Sequence, residues 1–117
     1  MRYQPVTSVT EADLSRVLGR EFPGESGVKA AAVLATYGGE SWHREPTRVK
    51  LAVLKLAHRD LQELERFTAA AKTDYRDVLM WAEYPAYARE SLNASEQARE
   101  AAVERYWAEY RELFEAR

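Results

Sequence analysis

Residues Pro46 to Ala57 read Pro-Thr-Arg-Val-Lys-Leu-Ala-Val-Leu-Lys-Leu-Ala, too apolar for a helix with one wet face. On a helical projection Val49, Ala52, Val53, Leu56 and Ala57 form one stripe, while Leu51 and Leu54 fall on the far side. Such a helix needs protein on two sides, so the stretch predicts the central helix of a bundle. Pro46 suits its first turn, because a proline there gives up only an amide with no intrahelical acceptor and brings a pre-set φ.

The bundle has to be small. At 117 residues the chain suits one domain, 1–117, with enough length for a real core. It contains no cysteine, which removes disulfides, thiol catalysis and cysteine-based zinc sites. Hydrophobic residues at 46% and charged residues at 31% describe a globular chain rather than a disordered one. No apolar run approaches the ~20 residues of a membrane span, and Met-Arg-Tyr-Gln-Pro at the start lacks the apolar stretch of a secretory leader. Cytoplasmic residence is the expectation. A formal net charge of −2 supplies no overall field to collect nucleic acid, which is therefore not an expected partner.

Along the chain, residues 1–9 read as an extended arm packed across the bundle. Thr10 is placed to cap a helix over Glu11 to Glu21, with Glu11 and Asp13 in its first turn. Phe22-Pro23-Gly24-Glu25-Ser26-Gly27 ends it. A second helix is expected over Val28 to Tyr37, deep in the bundle, with Val28, Ala31, Ala32 and Ala35 on one side and Gly38-Gly39 at its end. After Ala57, His58-Arg59-Asp60 reads as a tight corner with Asp60 capping the next helix; a continuous helix through Arg59 is the competing reading. Asp74 caps a helix that is short because Pro85 disfavours helix at Tyr84. Pro85 to Asn93 read as a turn that could include one helical turn. Asn93 and Glu96 have the spacing of a capping box for the last and longest helix, an amphipathic one whose Val103, Tyr106, Trp107, Tyr110, Leu113 and Phe114 keep helical spacing to the end. The fold expected is all-α, with five to six helices.

The run Trp42-His43-Arg44-Glu45-Pro46-Thr47-Arg48-Val49 and its continuation to Ala57, with Asp74-Tyr75-Arg76-Asp77-Val78-Leu79 and Glu83-Tyr84-Pro85, resembles an uncharacterised group of small bacterial helical proteins. The resemblance covers about the middle third of the chain. It implies an all-helical fold and carries over no activity and no catalytic residue.

The chemistry-bearing residues divide into four sets. His43 and His58 are the only histidines, and Glu40 with His43 would share a helical face, but no second Glu-x-x-His completes a ligand set, so neither metal nor cofactor is expected. Asp74, Asp77 and Glu83, with Tyr75 and Tyr84, offer paired carboxylates; Asp74 and Asp77 are better explained by a helix cap and a first-turn charge, and no residue is assigned as catalytic. Arg44, Arg48, Lys55 and Arg59 fall within about 60° of one another if the helix is continuous, a basic stripe on which Trp42 could serve as a stacking platform. Glutamates could equally neutralise that stripe. Finally, Tyr106, Trp107, Tyr110 and Phe114 give the last helix a wide aromatic face, suited both to the chain's own core and to an interface.

Two functions follow from these sets. The preferred one is a non-enzymatic protein acting through a protein partner or a homodimer, with Tyr106, Trp107, Tyr110 and Phe114 as the contact. The alternative is a small-ligand, anion-binding or enzymatic site built on the linker from Glu40 to Arg48, with Trp42, His43, Arg44 and Arg48 as its residues and Tyr37, Asp74 or Asp77 beside them.

Overall fold

The computed structural model describes residues 6, 8–85 and 92–115. Among these the chain is all-α, with helices α1 (Glu11–Glu21), α2 (Glu25–Leu34), α3 (Pro46–Ala57), α4 (Leu61–Thr73), α5 (Tyr75–Glu83) and α6 (Glu96–Glu115). Helix α3 sits at the centre. It packs against α1, α4 and α5, and Val49, Leu51, Ala52, Val53, Leu54 and Ala57 are all buried, which accounts for apolar residues on opposite sides of one helix. Leu56 alone of the expected stripe is half exposed. Helix α2 lies on α1 and α4, and α6 lies across α5 and α1.

The helix ends follow local chemistry. Thr10 and Asp13 form a reciprocal capping box at α1, each backbone amide bonded to the other's side chain. After α3, His58 and Arg59 both take the left-handed region, with φ of 48° and 64°, so the helix cannot continue. Asp60 then accepts from the amides of Gln62 and Glu63 and starts α4. Asp74 closes α4 and caps α5 through the amide of Arg76.

Two expectations need correction. Helix α2 buries Ala30 and Leu34, with Tyr37 following after its end, whereas Val28 is 74% exposed and Ala31, Ala32 and Ala35 face water. Helix α2 is peripheral and needs a single apolar stripe; alanines carry little burial free energy, so Leu34 and Tyr37 set the rotation. Its start is also earlier, at Glu25, because the turn from Phe22 closes tightly enough that a side chain at Gly27 would collide with the Phe22 carbonyl. At α6 the cap is Ser95, whose hydroxyl accepts from the Ala98 amide. Asn93 instead takes a left-handed turn conformation, φ 62°, that asparagine tolerates.

Of the N-terminal arm, Val6 is buried and Val9 packs on the core. Residues 1–5 and 7 of that arm, and 86–91 of the expected turn, lie outside the described residues.

Candidate functional site

The linker between α2 and α3 is a folded loop built on two rings. Tyr37 is buried, and its hydroxyl donates to the Arg44 carbonyl at 2.9 Å while accepting from the Arg44 amide at 3.1 Å. His43 stacks on Tyr37 with centroids 4.4 Å apart and 15° between the planes. Its Nδ1 accepts from the amides of Gly38, at 2.8 Å, and Glu40, at 3.3 Å, which leaves the ring proton on Nε2. Gly38, at φ 104°, permits the reversal, since a Cβ there would press on Pro46 at 3.3 Å. His43 is thus a fastening of the loop. Trp42 meets its edge at 5.5 Å and 77° and keeps 61% of its surface exposed.

That indole borders an open groove of about 310 Å³, lined by Trp42 and Arg44 from the linker and by Ala71, Lys72, Thr73, Asp74, Tyr75 and Arg76 from the α4–α5 junction. Two of the four linker candidates therefore converge there with Asp74, one of the carboxylates singled out beside them. Asp74 is already engaged: Arg76 reaches it through Nε at 3.1 Å and Nη2 at 3.2 Å, and these bonds, with that from the Arg76 amide, hold its carboxyl below the ordinary range. The side chains of Arg44 and Lys72 have no ion-pair partner among the described residues. Tyr75 stood among the residues set beside the paired carboxylates, whereas Lys72 and Arg76 went unrecognised as site residues in the sequence; the signal was their place at a helix–helix turn, Thr73-Asp74-Tyr75-Arg76, which leaves polar side chains at a corner.

Arg48 does not join this site. It turns to Glu83, at 2.6 and 2.8 Å, and to Glu45, at 3.1 Å, so Glu45 serves Arg48 and leaves His43 alone. Lys55 Nζ donates to the Ala82 carbonyl at 2.8 Å and lies 5.4 Å from the centre of the Tyr110 ring. Burial lowers its pKa, opposed by Glu109 and Glu83. Arg59 reaches Glu21, which also holds Arg20. The expected basic stripe is therefore dispersed: α3 ends at Ala57, and Arg48, Lys55 and Arg59 each turn to a partner within the fold. A charge on a helix buried all round needs a partner inside, and that was the available clue to Glu83.

The aromatic face of α6 turns inward. Tyr106 and Trp107 pack with Ala102 and Val103, Tyr84 meets Trp107 edge-on at 5.9 Å, and Tyr110 is fully buried in the main core. Phe114 is half buried beneath the Arg16 guanidinium. No group of three or more histidine or carboxylate side chains is placed to hold a metal, and no helix is long and apolar enough to cross a membrane, among the described residues. Compared with known proteins, the chain matches no family model, no curated protein and no solved structure.

Proposed function

We propose that the protein is a non-catalytic binding module that takes a small anion into the groove between the linker and the α4–α5 junction. The observation that carries this reading is the exposed indole of Trp42 beside two cations, Arg44 and Lys72, that have no ion-pair partner among the described residues. Exposed aromatic surface with adjacent unspent charge is suited to recognition. The loop is held in shape by Tyr37 and His43 before any ligand arrives, which lowers the ordering cost of binding. The carboxylate of Asp74 is bound to Arg76, and His43 Nδ1 is bound to two amides, so this carboxylate and this imidazole are held by structural bonds.

A protein partner or homodimer held by Tyr106, Trp107 and Tyr110 has less support, because those side chains are buried against the chain's own residues. The test of the groove is NMR titration with a panel of phosphate- and carboxylate-bearing metabolites. Binding shifts the Trp42 indole and the amides of residues 72–76 and leaves the Trp107 indole in place. A panel that moves none of the groove signals rejects the reading.

A further inference from the structure

We propose that the anion is a phosphomonoester joined to a planar aromatic ring, the chemical class of a nucleoside monophosphate. This inference rests on the groove being the binding site, and it is carried by charge, shape and size together.

The charge is specific. Three cations and one carboxylate line the groove, and the Arg76 guanidinium is bonded to Asp74 through both Nε and Nη2, so that pair is internally neutral. Arg44 and Lys72 remain, two positive charges with no ion-pair partner among the described residues, on a chain whose formal net charge is −2. A phosphomonoester carries about −1.5 to −2 at neutral pH and matches two cations, whereas a single carboxylate leaves one uncompensated and a divalent metal ion is repelled.

The shape supplies the second half of the ligand. The Trp42 indole is in T-shaped contact with His43, which is itself stacked on Tyr37, and it borders the groove with 61% of its surface exposed. A flat heterocycle stacks on such a ring without needing base-specific hydrogen bonds. The volume, about 310 Å³, lies at the small end of ligand pockets and suits one nucleotide. A polymer would need a basic track leading away from the groove, and Arg48, Lys55 and Arg59 are turned to Glu83, Ala82 and Glu21 instead.

The test compares adenosine 5′-monophosphate, adenosine, inorganic phosphate and a short single-stranded oligonucleotide by calorimetry and by the Trp42 indole resonance. Three variants accompany the wild-type protein: Trp42→Ala, Arg44→Gln and Lys72→Ala. Arg44→Gln is a clean probe, because Tyr37 holds the backbone of residue 44 and not its side chain. Expected is saturable binding of the monophosphate that weakens about tenfold with each cation removed, the loss of one charge-assisted contact, and falls further in higher salt. The Trp42 variant, with circular dichroism matching wild type, loses the advantage of the monophosphate over bare phosphate. Phosphate binding as tightly as the monophosphate overturns the aromatic half and leaves the anion groove standing; adenosine binding equally well overturns the phosphate half. Tighter binding of the oligonucleotide overturns the mononucleotide assignment. Silence from all four ligands, with groove shifts from other anions, overturns the inference while sparing the proposed function; silence from every anion removes both.

Discussion

Glu83, only 1% exposed, accepts two hydrogen bonds from the Arg48 guanidinium, at 2.6 and 2.8 Å, and so ties the end of α5 to the first turn of α3. The carboxylate is a desolvated charge, and its two-pronged partner offsets the cost of burying it. Replacing Glu83 by Gln leaves Arg48, one-fifth exposed, with Glu45 as its remaining carboxylate. Urea denaturation should register a loss of about 3 kcal/mol, the low end of the range for breaking a buried pair. The double variant Arg48→Met with Glu83→Leu should recover part of that loss, because an apolar pair needs no charge partner. A double variant that costs as much as Glu83→Gln or more would show that a charge left without its partner is not the source of the loss.

The position of α3 was legible because its pattern is extreme: Leu51 and Leu54 on one side and Val49 and Val53 on the other leave no face for water. The corner at His58 to Asp60 was legible from one capping aspartate. The rotation of α2 was hidden, since Ala30, Ala31 and Ala32 differ too little in burial free energy to say which one faces inward. For the candidate site, the linker's density of rings and cations pointed to the loop that carries Trp42 and Arg44 to the groove. It also drew in Arg48 by nearness in sequence, although helical geometry carries that side chain to Glu83. Lys72 and Arg76 share the groove with Trp42 and Arg44 only because the α4–α5 junction lies beside the linker, a relationship that no local spacing in the chain expresses.

The corner itself should be improvable. His58 is exposed at φ 48°, where a β-carbon is strained, and none of the described hydrogen bonds or ion pairs uses its side chain. Glycine relieves that strain at some cost in unfolded-chain entropy, so His58→Gly should stabilise by about 0.5–1 kcal/mol. Thermal melting reads the change directly. A lower melting temperature would show that the imidazole makes a contribution larger than the strain.

Acid should weaken two helix starts. Asp13 is held below its ordinary value of 3.8 chiefly by the Thr10 amide, and Asp74 below the same value chiefly by the Arg76 side chain. For a depressed carboxyl the unfolded chain binds the proton more readily, so this stabilisation is complete above the ordinary value and is lost as the pH falls through the lowered one. Wild-type urea midpoints should therefore drop as the pH falls below about 4. In a variant carrying Asp13→Asn and Asp74→Asn the drop should be smaller, because asparagine keeps a capping oxygen without titrating. An unchanged drop would place the acid sensitivity elsewhere.

Tyr110 decides what the last helix is for. Its ring is fully buried in the main core, while its hydroxyl has no hydrogen-bond partner among the described residues. Burial, and then the nearby charge of Glu83, push that hydroxyl well above its ordinary pKa, with Arg48 opposing, so it stays protonated across the working range. A buried, unpaired hydroxyl is a net cost, whereas the ring is a large apolar asset. Tyr110→Phe should accordingly stabilise the protein by about 1 kcal/mol, and Tyr110→Glu should unfold it. Sedimentation of the wild type and both variants at high micromolar concentration separates core from interface. A helix serving the chain's own core gives a monomer for wild type and Tyr110→Phe alike. A wild-type dimer that Tyr110→Glu converts into a folded monomer would return this aromatic face to a partner.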